Sequence, residues 1–217
     1  MPTSWTDFLP AFWDGLEVTL KVTAWGAVLA LVVSFVSGLC RLSKLWIVRT
    51  VTGVYVEIFR GTSLLIQLFW LYFALPILGL ELPKLTAAVL AVGLNFGAYG
   101  SEIVRSSILA VPKGQWEAAI ALNLTPYQRL VRVIFPQAFV RMLPPFGNQM
   151  IELVKSTSLV YFITMADLTY QAMILRNNYI SWTWEILTLL LVFYFVISAG
   201  IALLVRLLER KMTAGRV

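Results

Sequence analysis

The chain contains no histidine and only one cysteine, Cys40. A Ser-His-Asp relay, a histidine metal site, a four-cysteine zinc site and an internal disulfide are therefore excluded within it. No GxxxxGK[ST] loop is present either, so ATP hydrolysis by this chain is not expected. Charge is scarce at 13% of 217 residues. What replaces it is apolar bulk: 59% of residues are hydrophobic, and the mean hydropathy is +0.82, far above that of a soluble domain. Strands of alternating polarity, the mark of a membrane barrel, are missing, whereas apolar runs of about 20 residues recur, the length a helix needs to cross a bilayer. The expected class is an all-α, polytopic membrane protein forming a single domain over residues 1–217.

Five spans are expected, at about residues 16–39, 54–75, 85–110, 139–163 and 184–208. Basic residues, among them Arg41, Lys44, Arg49, Lys113, Arg129, Arg132, Arg206 and Arg210, fall on one side if the N-terminus is outside, with Lys84 and Arg176 opposite. The positive-inside rule then orients the chain N-out and C-in. The net charge of +6 is accounted for by this topology, and no nucleic-acid partner is expected. Asp7, Asp14 and Glu17 precede the first apolar run, so a removable signal peptide is not expected. WTDFLPAFWDG reads as an interfacial helix, and residues 165–181 as a re-entrant or surface helix. Gly26, Ala30, Ser34 and Gly38, with Gly93 and Gly97, mark close helix packing, within the bundle or across a dimer.

Residues 112–136 are different in kind. Gln115 to Leu122 forms a short helix with an apolar stripe of Trp116, Ala119 and Ile120, ending at Asn123, a residue that tolerates the left-handed conformation. Thr125, Pro126 and Gln128 then supply a capping box with proline at the first helical position. The second helix carries Tyr127, Leu130, Val131 and Ile134 on one face, with Arg129 and Arg132 elsewhere, and should stop or turn at Pro136. A docking handle for a soluble partner and a surface loop on lipid phosphates both fit this composition.

Three acid–base pairs at i, i+3 lie in or near spans: Glu57 with Arg60, Glu102 with Arg105, and Glu152 with Lys155. The first two are compatible with snorkelling charges near a helix end. Glu152 and Lys155 stand roughly 16 and 21 Å beyond Arg141 along a straight helix, near the midplane. A pair that deep should face the bundle. Thr157, Asn148 and Gln149 add polar groups, and Pro144 and Pro145 free backbone carbonyls, as at the broken helices of transporter sites. Solute contact and internal pairing both remain open for it.

Glu117, Ala118 and Ala119, with Asn123, Val133, Phe135 and Pro136 at intact spacing, resemble the EAA-x3-G-x9-I-x-LP signature of ABC importer permeases. Asn123, Val133 and Phe135 depart from it, each mildly. YVEIFRGTSLLIQLF, SEIVRSSILAVPKGQWEAA and PPFGNQMIELVKSTSL resemble segments of the polar-amino-acid branch, and IALNLTP with MADLTYQA is most similar to ectoine and hydroxyectoine permeases. The resemblance implies a type I importer permease fold in the bacterial inner membrane, paired with an identical or paralogous permease. It implies an ATP-binding subunit dimer carrying ATP and Mg, an extracytoplasmic solute-binding protein, and no cofactor on this chain. It places Trp116, Glu117, Ala118, Ala119, Asn123 and Arg129 at the ATPase contact. The solute would be small and polar or zwitterionic, with Asn95, Glu57, Glu102, Glu152, Lys155 and Thr157 as pathway candidates. An ion-coupled carrier, a channel and a non-transporting scaffold are the alternatives.

Overall fold

The computed structural model describes residues 4–213. Among them the chain is all-helical: α1 (Leu9–Cys40), α2 (Trp46–Gly61), α3 (Leu64–Phe69), α4 (Lys84–Leu109), α5 (Lys113–Ala121), α6 (Pro126–Gln128), α7 (Phe135–Ser156), α8 (Leu168–Asn178) and α9 (Thr183–Thr213). Trp5–Cys40, Lys84–Leu109 and Ile180–Lys211 are each long and apolar enough to cross a membrane. Two further helix pairs pass that test only together, Trp46–Gly61 with Leu64–Leu78 and Pro126–Ile163 with Leu168–Asn178. This is a multi-pass membrane protein.

The centre of the bundle is the crossing of α1 and α4. Gly26, Ala30, Ser34 and Gly38 are all buried on α1. Gly38 leaves no room for a side chain, since a Cβ there would lie 2.7 Å from Val104 Cβ and 2.9 Å from the Ser101 carbonyl. Small residues let the two backbones approach, and the Ser34 hydroxyl donates to Ala30 O at 2.6 Å and to Gly97 O at 3.3 Å. The small-residue ladder thus packs within the chain.

Four expectations need correcting. The second span is not continuous: α2 and the Leu64–Leu78 segment meet at 104°. Thr62 and Ser63 are extended there, which leaves the carbonyls of the last turn of α2 without helical donors. The N-terminal WTDF is a 3₁₀ turn, Trp5–Phe8, that runs directly into α1 rather than a separate interfacial helix.

Neither Pro136 nor Pro144 and Pro145 ends a helix. A π-type turn, Arg129–Ile134, stands immediately before the turn holding Pro136, and another, Trp70–Ala74, stands before Pro76. The wider winding shifts the hydrogen-bond register and accommodates the proline ring and its missing N–H. Pro144 and Pro145 sit inside α7, which continues through them. The second short helix expected in residues 112–136 is accordingly the start of one long helical run, Pro126–Ile163, not a separate element.

Residues 165–181 contain α8, bent 53° from that run. Asp167 caps it by accepting from Tyr170 N at 2.9 Å and Thr169 N at 3.2 Å, and Leu168 N donates to Thr19 Oγ1 at 3.2 Å. With Leu168 and Ala172 buried, α8 folds down onto α1 and α9.

Candidate functional site

Helix α5 ends in a Schellman motif. Leu124 N donates to Ala119 O at 3.1 Å, Asn123 N donates to Ile120 O at 2.8 Å, and Asn123 has φ 54°. The capping box follows: Gln128 N donates to Thr125 Oγ1 at 3.3 Å and Thr125 N to Gln128 Oε1 at 3.0 Å. The half-buried Arg129 donates to Leu124 O at 3.4 Å and braces the turn, although its enclosed Nε has no partner.

The expected apolar stripe divides between two surfaces. Trp116 packs inward with Ile108, Ile134 and Ala138 and Ala119 is buried, while Ile120, Leu122 and Tyr127 are exposed beside Glu117 and Ala118. Gln137 donates to Gln115 Oε1 at 3.1 Å, and Arg141 donates to Ala110 O. The surface helix is therefore fastened to α7, which is itself tied to the end of α4.

An Asn at the left-handed position costs little, whereas β-branching opposes φ > 0. Asn123→Gly is expected to be nearly neutral, and Asn123→Val to cost about 1–3 kcal/mol at this turn. Folded yield and uptake in the two variants check this; equal behaviour would remove the turn from the account.

A groove of about 520 Å³ opens where α2, α3, α4 and α7 meet, lined by Thr62, Ser63, Asn95, Tyr99, Gln149, Glu152 and Ser156 among others. The broken helix makes its rim. Gln67 donates to Phe59 O at 2.9 Å and to Thr62 Oγ1 at 2.7 Å, restoring partners that the break removed. Asn95, 5% exposed, donates to Phe59 O at 3.0 Å and to Gln67 Oε1 at 3.1 Å. Gln149 donates through Nε2 to Phe96 O, which leaves its Oε1 buried without a partner. The Glu152 carboxylate gives the groove a charged acceptor, the chemistry that receives an ammonium group.

Of the pathway candidates, Asn95 and Glu152 line the groove, and Lys155 reaches it through a 2.9 Å ion pair with Glu152. The pair stands at the open side of that groove rather than enclosed within the bundle as expected: the side chains of Glu152 and Lys155 are 63% and 55% exposed. Depth along a helix does not set rotation about it, and the inward face of α7 is taken by Phe146, Gly147, Gln149, Leu153 and Val154.

Thr157 is fully buried and donates to Val154 O at 2.7 Å, outside the groove lining. Glu102 is gripped by Arg41 at 2.6 Å and by Arg105 at 2.5 Å, a clamp between α1 and α4 that also stands outside it. Glu57 is exposed on α2, and Arg60 lies over the Tyr99 ring, 5.3 Å from its centroid, rather than pairing with it. Gln67 is absent from the sequence-derived candidates. Its signal was available: a long polar side chain in an otherwise apolar run is costly in a membrane and needs partners.

Residues 23–214 match the model of the binding-protein-dependent transport system inner membrane component family. The chain is 46% identical to the probable amino-acid ABC transporter permease protein y4tF of Sinorhizobium fredii, across 98% of this chain and 91% of that one. It is 38% identical to the glutamine transport system permease protein GlnP of Escherichia coli, across 94% of each. Among solved structures, that of an amino acid ABC transporter with histidines superposes with a TM-score of 0.89 at 34% identity, covering 97% of this chain and all of that one. With its groove, its fastened surface helix and matches that run nearly end to end, the chain belongs to the binding-protein-dependent transport system inner membrane component family.

Proposed function

We propose that this chain is the permease subunit of an ATP-driven importer for amino acids or similar small zwitterions, working by alternating access. One observation carries the reading: the helical run Pro126–Ile163 bears the Asn123-terminated surface helix at one end and the groove residues Gln149 and Glu152 further along. A movement imposed on α5 by a partner therefore reaches the groove through a continuous element. Trp116, Glu117, Ala118, Ala119, Asn123 and Arg129 form or support the contact with an ATP-binding subunit dimer, which holds ATP and Mg. A second permease, identical or paralogous, closes the open side of the groove, and an extracytoplasmic solute-binding protein delivers the solute. The orientation is N-out and C-in with five spans, the two bent pairs each counting as one, in the bacterial inner membrane.

The Glu152 carboxylate favours a solute with an ammonium group, and Lys155 stands ready for its carboxylate. The relatives named above are described as permeases for amino acids and for glutamine, which supports this class. Ectoine and hydroxyectoine are the narrower proposal, resting on the IALNLTP and MADLTYQA stretches.

The test is uptake into proteoliposomes holding this chain with its ATP-binding subunit, supplied with solute-binding protein and labelled solute. ATP-dependent uptake is expected, competed by ectoine if the narrower reading holds and by glutamine or cystine otherwise. Uptake driven by an ion gradient without ATP overturns the proposal in favour of a secondary carrier. Glu152→Gln should lower uptake about tenfold with folded yield unchanged, because the charge-assisted bond it removes is worth about 1.5–3 kcal/mol while an exposed carboxylate contributes little to folding. Parental uptake in that variant moves the solute site elsewhere.

A further inference from the structure

The end of the bundle opposite α5 carries a second cleft, which shares no lining residue with the groove. It forms where the turn Trp5–Phe8 meets the first turns of α9. Phe8 is buried there and packs edge-on against Trp182, with ring centroids 5.8 Å apart, so the turn is anchored and not a loose tail. Beside that anchor lies a cavity of about 300 Å³ walled by Trp5, Trp184, Glu185, Thr188 and Leu189.

Three features of these walls point the same way. Trp5 and Trp184 are 51% and 80% exposed, and neither joins the aromatic pairs that Phe8, Phe12, Trp13 and Trp182 make nearby among the described residues. Their ring faces are therefore available to something else. Glu185 stands in the first turn of α9, and its Oε2 is enclosed without any hydrogen-bond partner. The helix N-terminus offsets part of that charge, yet an oxygen that has lost water and gained no donor is still uncompensated. The cleft is thus acidic and aromatic at once.

Indole faces attract cations through the ring quadrupole, and a nearby carboxylate neutralises the charge they attract. An anion would meet Glu185. A hard metal ion would need several oxygen ligands, and no cluster of three or more acidic, histidine or cysteine residues occurs among the described residues. We infer that the cleft between Trp5, Trp184 and Glu185 binds an organic ammonium group, of the kind carried by an ethanolamine or choline lipid headgroup or by a free quaternary ammonium ion.

The full-length chain tests this by calorimetric titration with tetramethylammonium in detergent and by native mass spectrometry with phosphatidylethanolamine against phosphatidylglycerol. Saturable binding of tetramethylammonium supports a free-cation site. Retention of phosphatidylethanolamine over phosphatidylglycerol, without tetramethylammonium binding, supports a headgroup site. In either case Trp184→Leu and Glu185→Gln should weaken binding roughly five- to tenfold, and Trp184→Phe, which keeps an aromatic face, should weaken it less. Circular dichroism establishes that each variant is folded, and if Glu185→Gln is not, Trp184→Leu decides alone. The inference is overturned if neither ligand binds, or if folded Trp184→Leu binds as the parent does.

Discussion

Glu117→Arg is expected to abolish solute uptake while leaving the chain in the membrane at its normal level. The side chain is exposed on α5, so the substitution removes nothing that holds the fold. Around it, Ile120, Leu122 and Tyr127 leave apolar surface uncovered at one end of a membrane bundle, the composition of a docking face with a charge at its rim. If a subunit with a complementary cationic groove covers that face, reversal of the charge places like charges together in a desolvated contact. The cost is several kcal/mol, on the order of a hundredfold or more in association. Solute-stimulated ATP hydrolysis should fall with uptake, and co-purification of the ATP-binding subunit should weaken. Wild-type uptake in this variant would show that the α5 surface docks nothing essential.

Gln67→Leu should have the second large effect, this time on folding. The amide of Gln67 donates to Phe59 O and Thr62 Oγ1 across the break between α2 and α3, and its oxygen receives the Asn95 amide at 3.1 Å. Leucine keeps the bulk and deletes the whole set. Phe59 O and the Asn95 amide then keep only each other, at 3.0 Å, and one N–H of the buried Asn95 loses its acceptor, a loss worth about 1–3 kcal/mol. Folded yield in mild detergent should drop severalfold, and uptake with it. Gln67→Glu retains an acceptor for Asn95 but loses the donors, so it should fall between parent and leucine. A Gln67→Leu protein with parental yield would mean that the break is held by something other than this side chain.

How much of this was legible beforehand depended on the range of the interactions involved. Asn123, Thr125 and Gln128 were readable because a helix cap is local chemistry, decided by residues within one turn of each other. The Gly26, Ala30, Ser34 and Gly38 ladder was readable as packing, though not its partner. The passage of the helix through Pro136 was not, since it depends on a π-type register over Arg129–Ile134 that no residue type there demands. Nor was the 104° turn after Gly61. There an apolar run looks the same whether it crosses the bilayer straight or folds back, and only the polar partners Asn95 and Gln67 distinguish the two. The open-side position of Glu152 and Lys155 was lost for a related reason, because axial depth leaves the rotation of α7 undetermined.

The unbroken run from Pro126 to Ile163 gives the molecule a lever. Its short arm adjoins the turn at Asn123, and its long arm, from the buried Ile134 to Glu152, is about 27 Å at the helical rise. A tilt of about ten degrees around Ile134 would sweep the carboxylate through about 5 Å. If Glu152 holds the ammonium as proposed, that is enough to move the acceptor out of reach, so a modest push on the turn would become the difference between gripping a solute and letting it go.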